Sequence, residues 1–312
     1  MVNIFGEGAV PVSFEVYPPR TPDKAPSLYE TIRALSEVHP RFISVTFGAG
    51  GSSRRSSLEV LTYILNNTHV QPMAHLTCVG TTHAEAADVV REFMEAGISS
   101  FLALRGDPPT DEEHIGDFIG DVRSAAELVQ LITHVQSERQ PWTDFPVMGS
   151  TARHIDPRPA KVQVAVAAFP NGHPESGSTR ADIDSLLAKQ AAGADFAITQ
   201  LFFHPDDYFR FVDRARAAGV DMPILPGIMP ITSHQRLQRV VELTGEKEPS
   251  ELSINLQIEP TAEGRAEVGV QYATNLVDEL VRGGAPGIHL YAFNRHDTVL
   301  EVLNRANLVP AP

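Results

Sequence analysis

The chain has 312 residues, of which 42% are hydrophobic and 21% charged, and its formal net charge is −14. A negative charge of this size argues against a nucleic-acid or anionic-membrane partner, because both attract positively charged surfaces. The single cysteine, Cys78, cannot form an internal disulfide, and no apolar run approaches the roughly 18 residues of a membrane span. The N-terminus lacks the basic start and apolar centre of a signal peptide. The composition predicts a cytoplasmic enzyme and allows a homo-oligomer.

Apolar runs rich in Val, Ile, Phe and Leu predict strands, and segments with apolar spacing of three and four predict helices between them. The predicted strands are 12–17, 41–47, 70–77, 99–105, 163–170, 196–203, 222–229 and 287–293. The predicted helices are 26–38, 56–66, 83–96, 124–137, 180–192, 206–218, 233–244 and 264–283. Strands that alternate with helices in this way predict an α/β fold, a (β/α)8 TIM barrel rather than an open doubly wound sheet.

The spacing of the predicted strands locates two insertions in what is predicted to be one domain, residues 1–312. The first four strands recur about every 29 residues, and two later gaps are much longer. The excess falls at 138–161, between strands four and five, and at 246–262, after strand seven. Neither segment is long enough for a hydrophobic core of its own, so both are predicted to be excursions from the barrel.

Polar residues follow the predicted strands at the ends where a (β/α)8 barrel carries its active site. Glu15 stands at the end of strand one, where a charge among strand-forming apolar residues is costly unless it is used. The other polar positions are Thr46, the turn 48–52, His75, the run 105–107, His173, Gln200, Asn294 and Arg295. Together they predict a cleft with two carboxylates, arginines, imidazoles and a glycine-rich turn.

Each of these features also has a purely structural interpretation. Glu15 can face solvent, and His75 can be a hydrogen-bonded core histidine. The run 105–107 can be a turn with a surface ion pair, and the turn 48–52 can either cradle a phosphate or only reverse the chain. The single cysteine and the dispersed histidines predict no metal site. The functional interpretation therefore depends on the set rather than on any one residue.

Eight short motifs, in order along nearly the whole chain, resemble methylenetetrahydrofolate reductase of the bacterial type. They are FEVYPPRT at 14–21, SVTFGA at 44–49, AHLTC at 74–78, ALRGDP at 103–108, HPE at 173–175, AITQLFF at 197–203, LPGIMP at 225–230 and YAFNR at 291–295. The resemblance implies a TIM barrel that carries FAD. It also implies reduction of 5,10-methylenetetrahydrofolate to 5-methyltetrahydrofolate with NADH or NADPH.

The resemblance assigns roles to residues of the predicted cleft. It makes Glu15 the general acid that protonates the departing folate nitrogen, and we expect apolar strand neighbours to keep this carboxyl protonated. Asp107 becomes the second carboxylate, close to the flavin and the pterin, where its charge stabilises an iminium cation. Gln200 contacts folate or nicotinamide, and Arg295 binds the glutamate tail of the folate. Thr46 lies at the face shared by flavin and nicotinamide.

The flavin contacts implied by the resemblance are only partly retained. The matching positions are Ala49, His75, Arg105, Gly106, Asp107, His173, Asp182 and Lys189. Phe169 replaces the usual Tyr, Ser124 begins a stretch where the family has another Tyr, and Ala188 replaces an expected basic residue. His234 stands where the family tends to have an aromatic ring. These departures predict that FAD is held weakly or is absent, in which case NADH passes its hydride directly to the folate.

Two other functions stay open at this point. One is a barrel that binds folate or flavin without catalysis and regulates by occupancy, and the other is a folate-dependent transferase. Retention of both Glu15 and Asp107 favours the reductase, because binding alone needs no paired carboxylates. Oxidation of NADH in the presence of methylene-folate would discriminate between them.

Overall fold

The computed structural model describes residues 10–47, 51–78, 80–106, 120–139, 161–173, 176 and 178–309. Its strands are β1 (Val12–Val16), β2 (Phe42–Val45), β3 (Gln71–Thr77), β4 (Ser100–Leu104), β5 (Gln163–Ala168), β6 (Phe196–Thr199), β7 (Ile224–Leu225), β8 (Gly227–Ile228) and β9 (Ile288–Tyr291). Its helices are α1 (Ala25–Ser36), α2 (Gly51–Asn67), α3 (His83–Glu95), α4 (Ala125–Glu138), α5 (Thr179–Ala191), α6 (Pro205–Ala217), α7 (His234–Thr244), α8 (Ser250–Ile258), α9 (Ala262–Arg282) and α10 (His296–Arg305). A 3-10 turn, Pro22–Lys24, precedes α1.

The strands form one parallel sheet in the order β7-β6-β5-β4-β3-β2-β1-β9-β8. β7 and β8 are separated only by Pro226, and they pair with β6 and β9 respectively. One short segment therefore joins the two ends of the sheet and closes the barrel. Proline has no N–H to donate, but the Pro226 carbonyl still accepts the His289 N–H at 3.0 Å. This architecture confirms the predicted α/β TIM-barrel fold.

Alternation along the strands separates an outer apolar layer from the interior of the barrel. In β1, Phe14 and Val16 are buried in the large cluster that packs against the helices. Inside the barrel, a smaller cluster that includes Phe42, Met73 and Phe196 fills the space between the strands. Side chains nearer the C-terminal ends of the same strands are polar, so the apolar interior forms the floor beneath them.

Two helices were not predicted from the sequence. α8 lies within the predicted insertion 246–262, and its Leu252 and Leu256 pack in a cluster with Leu237 of α7. α10 follows β9 and supplies the eighth helix of the barrel, with Val299 and Val302 buried. The prediction was wrong to end at strand 287–293, because α10 has the spacing of an amphipathic helix. Residues 140–160 of the first predicted insertion lie outside the described residues.

Every predicted strand is longer than the strand in the structure, and two of them differ most. The run 222–229 forms only two-residue strands on either side of Pro226, since proline interrupts the ladder. The run 196–203 ends as a strand at Thr199, and its remaining residues turn towards α6. No helix in the described ranges combines the length and apolar content needed to cross a membrane.

Candidate active site

A cavity of about 1110 Å³ opens at the C-terminal ends of the strands. Most of the residues predicted for the site line it: Glu15, Thr46, His75, Arg105, Gly106, His173, Asp182, Lys189 and Gln200. Ala49 and Asp107 lie outside the described residues. A space of this size accommodates a dinucleotide or a folate, since typical ligand pockets measure about 300–1,000 Å³.

Glu15 lies between two buried imidazoles at the bottom of this cavity. Its Oε2 is 3.4 Å from His75 Nε2 and 3.9 Å from His289 Nε2. The two imidazole side chains are 7% and 0% exposed, and that of Glu15 is 20% exposed. Neither Nε2 atom has a hydrogen-bond partner within the part of the chain that the structure describes. Unpartnered buried nitrogens beside a carboxylate indicate a site prepared for proton transfer or for a ligand.

The surroundings of Glu15 differ from those expected from its sequence neighbours. Phe14 and Val16 point out of the barrel, because adjacent strand residues face opposite sides of a sheet. Burial raises the pKa of the Glu15 carboxyl. The two neighbouring imidazoles, His75 and His289, together lower it by more, so the pKa lies below its ordinary value. The expectation that apolar neighbours keep this carboxyl protonated was therefore wrong. A proton for catalysis has to be held within the carboxylate–imidazole group.

Burial also shifts the pKa values of His75 and Tyr291, which face Glu15. Burial lowers the pKa of the His75 imidazole, although the charge of Glu15 opposes the shift. Burial and the charge of Glu15 both raise the pKa of Tyr291 well above its usual range. The Tyr291 hydroxyl therefore stays protonated and donates a hydrogen bond to the Thr199 carbonyl at 2.8 Å.

His289 and Tyr291 belong to the site but were not singled out from the sequence. Both lie on β9, which pairs with β1 so that Ser13 is opposite His289 and Glu15 is opposite Tyr291. The sequence did carry a signal for them. Residues 289 and 291 are two apart, so they lie on the same face of the strand, and they alternate with the apolar residues 288 and 290. The predicted barrel places the last strand beside the first, but the sequence did not show the register between them.

A second polar group lies on the α5 side of the cavity. Lys189 is 9% exposed, and its ammonium donates to the Ala167 carbonyl at 2.9 Å. Burial lowers the pKa of Lys189 to about 8, and the charge of Asp182 opposes this shift. Asp182 Oδ1 accepts the His173 N–H at 3.3 Å, while its buried Oδ2 has no hydrogen-bond partner among the described residues. This arrangement offers a ligand one cation and one free acceptor.

These groups fit the sugar and phosphate parts of a nucleotide cofactor. A hydroxyl of the cofactor would satisfy Asp182 Oδ2, and Lys189 would partner a phosphate. The two positions at which this chain lacks the family's tyrosines contribute less to such a cofactor site. Ser124 accepts the Glu127 N–H at 3.2 Å and so caps α4, while the Phe169 ring packs edge-on against His173 at 4.6 Å. Phe169 therefore lacks the hydroxyl of the tyrosine that the resemblance implies, and Ser124 lacks the ring.

The remaining predicted residues occupy distinct places. The Gln200 side-chain oxygen accepts the Leu201 N–H at 2.9 Å, which leaves its NH2 group as a donor. Arg295 is the N-cap residue of α10 and does not line the cavity; its guanidinium lies 3.0 Å from Asp297 Oδ2. Within the described ranges, no group of three His, Cys, Asp or Glu side chains is arranged to hold a metal ion.

Comparison with known proteins identifies relatives over almost the whole chain. A family model described as methylenetetrahydrofolate reductase matches residues 1–307. The chain is 33% identical over 305 residues to 5,10-methylenetetrahydrofolate reductase of Salmonella typhimurium, which covers 97% of this chain and 93% of that one. It is 30% identical over 308 residues to methylenetetrahydrofolate reductase (NADH) 1 of Arabidopsis thaliana, which covers 98% of this chain and 50% of the plant protein.

Among solved structures, the fold is similar to that of an uncharacterized protein from Clostridium thermocellum that binds two copies of 5-methyl-5,6,7,8-tetrahydrofolic acid. The TM-score is 0.62 at 14% identity, and the match covers 96% of this chain and 94% of that chain. An identity this low supports the shared barrel fold and nothing about the ligand.

Proposed function

Because the chain belongs to the methylenetetrahydrofolate reductase family, we propose that it reduces 5,10-methylenetetrahydrofolate to 5-methyltetrahydrofolate with NADH or NADPH. The observation that supports this most directly is Glu15 at the cavity floor, between the buried Nε2 atoms of His75 and His289. A protein that only binds folate has no need for such a proton-holding group. No observation favours the binding protein or the transferase.

Glu15 serves the first chemical step in this proposal. The methylene bridge opens to a 5-iminium cation when the departing nitrogen receives a proton, and Glu15 delivers that proton from the cavity floor. Hydride then adds to the methylene carbon. We propose that Asp107 supplies the negative charge that stabilises the iminium, while Gln200 and Thr46 orient folate and nicotinamide. The apolar residues below exclude water from that side.

We propose that Lys189, Asp182 and Arg105 bind the phosphate and sugar groups of the nucleotide, with His173, Gly106, His75 and Ala49 completing the cofactor site. When bound, FAD would supply a carrier for hydride between the nicotinamide nucleotide and the folate. The loss of one tyrosine hydroxyl at Phe169, one tyrosine ring at Ser124 and one basic residue at Ala188 supports weak FAD binding or none. In that case the nicotinamide nucleotide donates directly to the folate.

The primary test measures NADH and NADPH oxidation by the purified protein with methylenetetrahydrofolate, together with formation of 5-methyltetrahydrofolate. Equal amounts of oxidised nucleotide and methylated product would support the reductase. Folate binding without nucleotide oxidation would favour the binding protein, and release of a one-carbon unit to another acceptor would favour the transferase.

We expect the isolated protein to contain less than stoichiometric FAD. The residues at Phe169, Ser124 and Ala188 remove contacts worth on the order of 1 kcal/mol each. Flavin absorbance, FAD titration and activity of flavin-free protein with and without added FAD measure this. The double variant Phe169→Tyr/Ala188→Lys restores two family residues. We expect it to bind FAD at least about tenfold more tightly than wild type. Tight stoichiometric FAD in the wild-type protein would contradict the expectation.

Arg295 and Asp297 form a matched pair for testing recognition of the folate tail. Arg295→Ala is expected to weaken folate binding by about 1.5 kcal/mol, because a charge-assisted contact to a carboxylate is lost. Asp297→Asn should have the opposite sign, since it frees the guanidinium that lies 3.0 Å away. Affinities for folate and NADH are measured by titration. Equal losses for both ligands in Arg295→Ala would indicate a structural role instead.

The remaining assignments belong to the same proposal. We take residues 1–312 as one domain of a cytoplasmic enzyme whose partners are a folate and a nicotinamide nucleotide. The packing of all described helices and strands around one barrel and the net charge of −14 support this. A homo-oligomer remains compatible with it.

A further inference from the structure

His289 has a defined partner on one side of its ring and an open nitrogen on the other. Its Nδ1 lies 2.9 Å from Ser13 Oγ, and its Nε2 lies 3.9 Å from Glu15 Oε2. The side chain is completely buried, and Nε2 has no hydrogen-bond partner among the described residues. An unpartnered buried ring nitrogen costs free energy, so its position beside the carboxylate needs an explanation.

The hydrogen bond to Ser13 determines which nitrogen carries the fixed hydrogen. The Ser13 hydroxyl donates to the Ile288 carbonyl at 3.4 Å, which leaves the lone pairs of its oxygen as acceptors. When the Ser13 oxygen accepts in this way, Nδ1 of His289 carries the hydrogen between them, and Nε2 is the nitrogen that faces Glu15. Because Ser13 and Glu15 are two residues apart on β1, both face the ring.

The contact between His289 Nε2 and Glu15 Oε2 requires one proton. A bare Nε2 beside an ionised carboxylate would place a lone pair against a negative charge, with little water to offset the repulsion. A proton on Nε2 gives an imidazolium beside a carboxylate, and a proton on Oε2 gives a carboxylic acid beside a neutral imidazole. Either arrangement removes the conflict.

The other groups that face Glu15 are less suited to this role. Burial lowers the pKa of His75 on β3 and favours its neutral form. Tyr291 on β9 keeps its proton, since burial and the charge of Glu15 raise its pKa well above the usual range. From β2, Phe42 packs against the His289 ring at 5.7 Å and brings no charge.

We propose that His289 holds the proton that Glu15 passes to the folate, with Ser13 fixing the ring for this transfer. The proton held on His289 Nε2 passes to Glu15 Oε2 and from there to the departing nitrogen as the bridging C–N bond breaks. The pair loses one proton in total, which solvent in the cavity restores. A side-chain movement of about 1 Å brings Nε2 and Oε2 within hydrogen-bond distance. This inference rests on the proposed function, and His289 acts through Glu15 as a positioning residue.

The test compares kcat for methylene-folate reduction against pH in wild type, His289→Gln and Ser13→Ala. Glutamine keeps an N–H near Glu15 but cannot hold the proton, so Glu15 holds it alone. A carboxyl releases its proton at lower pH than an imidazole does, so the alkaline limb of kcat should move to lower pH. The loss in His289→Gln should grow from about threefold near pH 6 to about thirtyfold near pH 8.5. Affinity for 5-methyltetrahydrofolate should stay within about twofold of wild type, because product binding needs no proton transfer.

Ser13→Ala should show a smaller shift in the same direction, because it removes only the Nδ1 partner. His134→Gln on the exposed face of α4, 69% exposed, makes the same substitution away from the site and should match wild type. A loss of kcat that is equal at every pH, or no loss, in both site variants would overturn the inference.

Nitrogen-15 NMR of histidine-labelled wild type and Ser13→Ala keeps the inference testable if His289→Gln does not fold. We expect Nδ1 of His289 to be protonated in wild type, and a bare Nδ1 would overturn the inference. Failure of the proposed function has a different signature, because wild type itself would then show no nucleotide-dependent reduction of methylene-folate. The NMR result would still report the state of the ring.

Discussion

Glu15→Gln is expected to lower kcat for methylene-folate reduction by about 100-fold or more. The amide is nearly isosteric with the carboxyl, but it cannot deliver a proton to the departing nitrogen. Folding should be nearly unaffected, because the side chain stays in the same space between His75 and His289. Steady-state kinetics gives kcat and KM, and titration with 5-methyltetrahydrofolate and NADH gives the affinities.

Two further variants separate the proton from the shape of the site. Glu15→Asp keeps an acid but withdraws it by one methylene, so it should retain more activity than Glu15→Gln. Glu30→Gln makes the same change on the exposed face of α1 and should behave as wild type. A Glu15→Gln enzyme within about threefold of the wild-type rate would exclude the acid role, since general acid catalysis contributes about 10²–10⁴-fold.

The barrel was predictable because its signals are local. Apolar runs of strand length alternate with amphipathic helices, and eight such pairs within 312 residues are typical of a closed barrel. The side on which the site lies was predictable for the same reason, since polar residues gather at the C-terminal ends of the strands. Pro226 shows the limit of such signals. The predicted strand 222–229 ran through it, and the sequence did not mark it as the point where one segment pairs with both β6 and β9.

The partners of Glu15 were not predictable, because they depend on the register between strands that are far apart in the sequence. His289 lies 274 residues after Glu15 and reaches it only through the register between β1 and β9. The expected surroundings of Glu15 failed for a related reason. Neighbours in sequence were treated as neighbours in space, although adjacent strand side chains point to opposite faces. Imidazoles therefore replace the expected apolar residues, and the pKa of the carboxyl moves down instead of up.

Barrel closure beneath the site depends on a glycine that has no room for a side chain. The Gly227 N–H donates to Thr199 Oγ1 at 2.9 Å, and the Tyr291 hydroxyl donates to the Thr199 carbonyl at 2.8 Å. A Cβ atom at Gly227 would overlap this carbonyl oxygen and lie 2.8 Å from the Tyr291 hydroxyl. Since these neighbours are backbone and a buried ring, they cannot move aside cheaply.

Gly227→Ala is therefore expected to lower the free energy of unfolding by about 3 kcal/mol, measured by urea denaturation. Tyr291→Phe removes only the hydrogen bond to Thr199 and should cost about 1 kcal/mol, so the excess in Gly227→Ala reports the overlap itself. Gly219→Ala is the matched control. A Cβ atom at Gly219 meets no atom within 4 Å, so this substitution should cost about 1 kcal/mol through the backbone strain of its φ of +99° alone. If Gly227→Ala were no less stable than Gly219→Ala, the segment around Pro226 would have freedom to move, and the tight closure between β6 and β9 would be contradicted.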